Sequence, residues 1–491
     1  MTSRRYCFAT HYHYLLTLLL VASWICATTM CECAYANVKL PSVFGDDMVL
    51  QRNVKTPIWG WAQPGEKILV EIASQSKTTI ADENGQWRVN LSPTPAGGPY
   101  KLSIYGANHI AFNNVYFGEV WLCAGQANMS FTLKRSTNGN KEAESATYPQ
   151  LRVFTVPTQS ADAPMNDCPA KWQKTSPQTA GNFSAIAYHF GRYLHEELQV
   201  AVGVIVLAWT GSTAEAWVDP IELAKFPELA PLVDPERIEK SPPSQKAGAL
   251  QYGMLDPICP YAIKGVIWYQ GEANANRAWQ YRTLFPLLIA NWREKWGLGD
   301  FPFYFVQLPN FHKAKDQPGS SAWAELREAQ HRAIAERNVA EVVAIDLGDP
   351  NNMTPKNKKT VSERLAKLAL NKTYDKGEPA AGPDFHSMKI IGNRAILTFT
   401  NAEGLACAEN ASCDGSELKG FAIAGADKKF YWAEAVIEND TVVVSAPEVE
   451  KPIAVRYAWA DNPACNLTNK TGLPTSPFRT DDWAGVTVNV K

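Results

Sequence analysis

Gly118-Glu119-Val120-Trp121-Leu122-Cys123-Ala124-Gly125-Gln126-Ala127-Asn128-Met129-Ser130-Phe131 is the stretch on which the reading of this 491-residue chain turns. Its first half, Glu119–Leu122, is an apolar run of strand type, and a polar word follows it at once. The same pairing of apolar run and polar word recurs downstream. Val202–Leu207, Gly265–Tyr269, Phe303–Leu308 and Val342–Ile345 read as strands. Ala185–Glu197, Tyr281–Trp296, Trp323–Glu336 and Lys359–Ala369 read as helices between or after them. Strands alternating with helices predict an α/β domain with a parallel sheet over residues 116–385. Such a sheet binds its ligand beyond the carboxyl ends of its strands, which is where the polar words stand. Residues 133–175 and 222–250 are polar and proline-bearing and read as loops or insertions.

On either side the pattern becomes all-β. In residues 37–115, Ile58–Trp61, Ile68–Ile72 and Gln86–Leu91 are short β-branched or aromatic runs. The turn signals Gln63-Pro64-Gly65 and Glu83-Asn84-Gly85 separate them, as in a small β-sandwich. After residue 386, Ala395–Thr400, Lys429–Glu434, Thr441–Ser445 and Ile453–Trp459 predict a second β module, to residue 491. Residues 1–36 have the form of a secretory signal: Arg4 and Arg5, an apolar run from Tyr14 to Ala27, then Ala34-Tyr35-Ala36 before Asn37. The expectation is a secreted or periplasmic, extracytoplasmic protein with no membrane span after cleavage.

With 47 basic and 49 acidic residues the formal charge is −2, which gives no reason to expect nucleic acid as a partner. Cleavage would leave Cys123, Cys168, Cys259, Cys407, Cys413 and Cys465. Cys407 and Cys413 are close enough for a local disulfide, and none has metal-ligand spacing, so no metal and no cofactor is expected. Several N-x-S/T sequons occur, including those that begin at Asn182, Asn371, Asn410, Asn439 and Asn466.

The polar words carry the chemistry. Gly125-Gln126-Ala127-Asn128-Met129 resembles the Gly-Gln-Ser-Asn-Met nucleophile block of the sialate O-acetylesterase family, a branch of the SGNH hydrolases. Ala208–Trp217 is similar to that family's Ser-Trp-Gly-Gly-Thr-Pro-Ile-Glu-Ala-Trp, and Trp268–Ala275 to its Trp-Tyr-Gln-Gly-Glu-Ser-Asn-Ala. Asp346–Pro355 resembles the block that ends in Asp-Ile-His-Pro. The resemblance runs from the Phe44–Gln51 opening to the C-terminal module. It implies a flavodoxin-like parallel-sheet domain flanked by two β modules, and acetyl-ester hydrolysis on sialic acid or another sugar.

Within that resemblance the reactive places are changed. Ala127 stands where the family has its serine, Asn352 where it has the aspartate, and Thr354 where it has the histidine. A methyl group cannot attack a carbonyl, an amide cannot stabilise an imidazolium, and a threonine hydroxyl is no base near neutral pH. In a serine triad the aspartate-to-asparagine change alone costs on the order of 10⁴ in rate. Gly211 and Gln270 are the oxyanion candidates that the resemblance implies. Gln126, Asn128, Glu272 and Asn274 are the candidate substrate-binding residues. Ala273 and Tyr252 mark two further polar losses. Ser130, Cys123 and His312 are the side chains weighed as substitutes, and none completes a Ser/Cys–His–acid set at workable spacing. The resulting expectation is a degenerate esterase that binds an O-acetylated carbohydrate or a partner. The alternatives are an active esterase with a displaced nucleophile or base, and a non-catalytic interaction module.

Overall fold

The computed structural model describes residues 37–408 and 418–490. The expected signal segment, Cys413 and the Asn410 sequon lie outside them; Cys407 is disulfide-bonded. The framework is a central sheet built on β1 (His109–Gly125), β2 (Leu151–Thr155), β3 (Trp172–Lys174), β4 (Val202–Ala208), β5 (Gly265–Tyr269), β6 (Phe303–Val306) and β7 (Val339–Val342). Their spatial order is β7-β6-β5-β1-β4-β2-β3, parallel throughout except for the β2–β3 pair. Four of these parallel strands, β1, β4, β5 and β6, are buried along their shared lengths, which is why they read as near-continuous apolar runs. Helices α1 (Ala127–Ser130), α2 (Ala185–Leu198), α3 (Ala278–Trp296), α4 (Ala322–Arg332) and α5 (Lys358–Tyr374) follow the strands. The order reverses at β1, whose neighbours are β4 on one side and β5 on the other. A crevice therefore opens beyond the carboxyl end of β1.

The N-terminal module is joined to this sheet by shared backbone. β1 is 17 residues long, and its first half pairs with Gly97–Tyr105 of the N-terminal module while its second half pairs with β4 and β5. The boundary expected at 115–116 thus falls inside one strand. The one expected at 385–386 falls just inside the strand Asp384–Ile391. The C-terminal module stacks two four-stranded antiparallel sheets around Leu397, Ile423, Val442, Val455 and Tyr457.

Two expectations are corrected. Residues 133–175 are not only loop, because β2 lies within them and pairs in parallel with β4. Its signal is broken by Arg152, which is buried, donates to Asp47 O at 3.0 Å and pairs with the Asp47 carboxylate at 3.3 Å. The last sheet strand is Val339–Val342, not Val342–Ile345. Val343 and Ile345 are apolar because they pack into the C-terminal module's core.

The junction between sheet domain and C-terminal module is hydrogen-bonded. Arg327 of α4 is wholly buried and donates to Leu308 O (2.8 Å), Pro309 O (2.8 Å), Ala460 O (2.7 Å) and Asp461 O (3.0 Å). A buried guanidinium satisfied by four carbonyls fixes the loop after β6 against residues 460–461. Among the described residues no helix is long and apolar enough to cross a membrane.

Candidate active site

β1 ends at Gly125, where φ is 145° and a Cβ would stand 2.1 Å from Tyr269 O. Only glycine lets the chain pass the end of β5 that closely. The backbone then turns into the single-turn helix α1, with Gln126 O accepting from Met129 N (2.9 Å) and Ser130 N (2.9 Å). Ala127 heads that turn and presents only its methyl group.

Beneath Ala127 lies a buried polar hub. Gln126 Nε2 and Asn128 Nδ2 donate to the two oxygens of Glu272, the latter at 2.5 Å. Asn128 Nδ2 also donates to Met353 O at 3.1 Å. Lys358 Nζ donates to Asn128 Oδ1. That set joins the ends of β1 and β5 to the 352–354 loop and to α5, so the expected triad segments do meet. Burial pushes the Glu272 carboxyl upward, opposed by its amide donors and by Lys358. Burial also pushes the Lys358 ammonium down to about 7, opposed by Glu272. Lys358 is 1% exposed and packs over the rings of Phe131 (4.9 Å) and Tyr269 (5.7 Å). Its place in the hub escaped the sequence reading. Lys358 stands one residue before the helix expected from Lys359, and it is in fact the first residue of α5.

Above the hub the reactive places are occupied by a closed neutral pair. Asn352 Oδ1 accepts from both Thr354 N and Thr354 Oγ1, each at 3.0 Å. The loop stabilises itself and offers no base. Ser130 Oγ bonds Ala127 O and Thr210 Oγ1, both at 3.3 Å, with no histidine on it. Cys123 is buried in β1 and burial raises its thiol far above the ordinary range, so it is no nucleophile.

The oxyanion candidates separate. Gly211 turns at φ 78° just after β4, and nothing lies within 4 Å of where its Cβ would be, so this face is open. Gln270 does not stand at the cleft as an oxyanion donor. It is wholly buried, and its amide hydrogens go to Ser212 O (3.1 Å) and Asn274 Oδ1 (2.7 Å). Its carbonyl oxygen accepts from Tyr281 OH at 3.0 Å. Asn274, expected to bind substrate, is likewise internal: Oδ1 also accepts from Ala214 N (2.9 Å), and Nδ2 donates to Glu215 Oε2 (2.9 Å). Both residues brace the loops after β4 and β5. Gln126, Asn128 and Glu272 reach the site region, with only Glu272 on the wall of an open cavity.

That cavity holds about 330 Å³ and is lined by Glu272, Met353, His312, Lys315, Trp323 and Asp461 among others. His312, in the loop after β6, therefore does approach the site. Lys315 and Asp461 are not marked by the sequence, Asp461 because it comes from the C-terminal module, where no local pattern announces approach to this cavity. Among the described residues no group of three or more His, Cys, Asp or Glu side chains could hold a metal ion.

A parallel sheet with its cleft at the β1 switch point, a glycine-led turn at the nucleophile place and a facing loop after the last strand together define a carbohydrate-esterase scaffold of SGNH type. The family model described as carbohydrate esterase, sialic acid-specific acetylesterase, matches residues 117–371, and the chain belongs to that family. It is 28% identical over 490 residues to the sialate O-acetylesterase of Homo sapiens, covering 90% of this chain and 92% of that one. It is 28% identical over 513 residues to the sialate O-acetylesterase of Mus musculus, covering 90% and 94%. Among solved structures, a carbohydrate acetylesterase from Xanthomonas citri is 36% identical, covers 91% of this chain and 100% of its own, and superposes with a TM-score of 0.83. The family and this neighbour support acetyl-ester hydrolysis on sugars as the chemistry for which the scaffold is built.

Proposed function

We propose that this chain is an extracytoplasmic member of the family that binds an O-acetylated carbohydrate, sialic acid or another sugar, and turns it over little or not at all. The observation that carries this reading is the state of the three reactive places. Ala127 has no nucleophilic atom, and the Thr354 hydroxyl donates to the Asn352 side-chain oxygen, which also accepts from Thr354 N. Ester hydrolysis by a triad needs an oxygen nucleophile, a base to take its proton and a carboxylate to hold the base. With all three gone and Gln270 turned inward, the residue of catalysis is at most what binding and the Gly211 turn supply, no more than about 10³–10⁴ over water. Binding keeps its support: Gly211 faces open space, and the adjoining cavity carries polar groups beside an apolar floor.

Restoration tests the reading. The triple variant Ala127→Ser, Asn352→Asp, Thr354→His is expected to release acetate at least about a hundredfold faster than Ala127→Ser alone, because triad members act as a unit. A serine without a base keeps its proton and stays inert. If Ala127→Ser alone matches the triple variant, a base exists elsewhere and the chain is one step from an active esterase. If the triple variant folds and stays inert, the pocket has drifted beyond the triad, and an interaction module is the better description.

A further inference from the structure

The cavity beside the hub is a shared wall of two modules. The loop after β6 carries His312 and Lys315 over the cleft, and the C-terminal module holds that loop at several points. Asn462 Nδ2 donates to His312 O (2.7 Å), Phe311 N to Asp461 O (3.1 Å) and Trp432 Nε1 to Asp316 O (2.7 Å). Asp461 Oδ1 accepts from Ser321 Oγ at 2.5 Å, while Lys315 Nζ donates to Ser320 O at 3.2 Å. The two opposite charges thus face one cavity, yet each is tied to its own neighbour. Among the described residues neither Lys315 nor the Asp461 carboxylate has an opposite charge within 4 Å.

We propose that Lys315 and Asp461 are ligand-binding residues that read the ring hydroxyls of the saccharide carrying the acetyl group, so that the C-terminal module completes the binding site. The inference rests on the carbohydrate-binding reading above and assigns it a second wall. A sugar hydroxyl both donates and accepts. A carboxylate that keeps an oxygen free accepts from one hydroxyl, and an ammonium donates to the next. Trp323, whose indole nitrogen is held by Pro309 O at 2.8 Å, and Met353, 40% exposed, give the apolar contacts that a pyranose face needs. Glu272 lines the same cavity and is joined through Asn128 to the backbone of Met353, between the two expected triad places of the loop. A volume of about 330 Å³ accommodates one ring with its substituents, at the lower end of small-molecule sites.

The test is calorimetric titration of the full chain with two probes, a 9-O-acetylated sialoside and a mono-O-acetylated methyl xyloside. Asp461→Asn keeps an oxygen for the Ser321 hydroxyl, so the loop stays tethered while the charge is removed. It is expected to weaken the better-bound probe about tenfold at unchanged melting temperature. Lys315→Ala, on an exposed loop, is expected to weaken it about threefold to tenfold. If both variants bind within about twofold of the unaltered chain, the inference is overturned. If Asp461→Ala lowers the melting temperature while Asp461→Asn binds normally, Asp461 is a structural tether and the inference is again overturned. If the unaltered chain binds neither probe, the carbohydrate-binding reading itself has failed, a result distinct from normal affinity in the variants.

Discussion

The cleft has two layers, and they differ in what they retain. The upper layer, Ala127, Asn352 and Thr354, is partly exposed and neutral, and its side-chain bonds are the local ones between Asn352 and Thr354. The lower layer, Gln126, Asn128, Glu272 and Lys358, is buried, charged and bonded across four segments of the chain. In a working triad enzyme both layers would be held by one reaction. Here the upper layer carries residues without that chemistry while the lower one keeps its bonds to Glu272, Met353 and Lys358, with only the Gln126 Oε1 atom left unpaired among its members' side-chain oxygens. The difference shows that the lower layer serves the fold in its own right. It satisfies polar groups where β1, β5, the 352–354 loop and α5 converge, and unmade bonds there would cost free energy whether or not an ester is cleaved.

The largest effect that follows concerns Lys358. Lys358→Ala leaves Asn128 Oδ1 without its donor and the buried Glu272 carboxylate without its cation. A loss of roughly 2–4 kcal/mol in urea unfolding is expected. A loss below about 0.5 kcal/mol would break the comparison, because the lower layer would then be as dispensable as the upper.

A second ionic cluster, away from the cleft, sharpens the comparison at intermediate size. His331 of α4 places Nδ1 2.8 Å from Glu341 of β7 and Nε2 3.3 Å from Asp384, where the C-terminal module begins. Ser476 Oγ lies 3.3 Å from Nδ1, and Gln307 Nε2 donates to both Glu341 and Ser476. The charged groups facing the imidazole are Glu341, Asp384 and Glu328, and together they raise it against burial to about 9. Folded His331 therefore holds its proton more tightly than the free side chain at 6.5. Its contribution is full below pH 6.5 and is lost as pH rises through 9. The melting-temperature gap between the unaltered chain and His331→Asn is expected to be roughly 2–4 °C near pH 6 and to close by about pH 10. A gap independent of pH would mean that the cluster is held by packing alone.

The smallest effect belongs to the upper layer. Asn352→Ala and Thr354→Val each remove bonds that are local and partly exposed, so each is expected to change stability by less than about 1 kcal/mol. Chemical denaturation measures this directly. A cost equal to that of Lys358→Ala would show that the Asn352–Thr354 pair has taken on a structural role.

Much of this was legible from the chain, for physical reasons that also mark where legibility ends. β5 is found at Gly265–Tyr269, and α2, α3 and α5 differ from expectation only at their ends, because burial of whole strands and one-sided burial of helices leave periodic apolar patterns. β2 was hidden by Arg152, whose buried charge is bonded to a residue 105 positions away. Gln270 and Asn274 could be placed at the end of β5 but not oriented. Whether a side chain turns into the cleft or into the loops beside it is settled by Ser212 and Glu215, both distant along the sequence, and by Tyr281 on the following helix. Asp461 could not be read as part of the site at all, since its approach depends on how the C-terminal module docks through Arg327.

The central claim, that the scaffold of an acetylesterase here lacks its reaction, is tested most directly by a rate. The full chain and a family member with serine, aspartate and histidine at the three places are compared on an aryl acetate and on a 9-O-acetylated sialoside, with acetate release followed under identical conditions. Hydrolysis slower by at least about a thousandfold is the expected result, since loss of triad members removes factors of that size. Turnover within about tenfold of the intact relative, with contaminating esterase excluded by a second purification, would contradict the account.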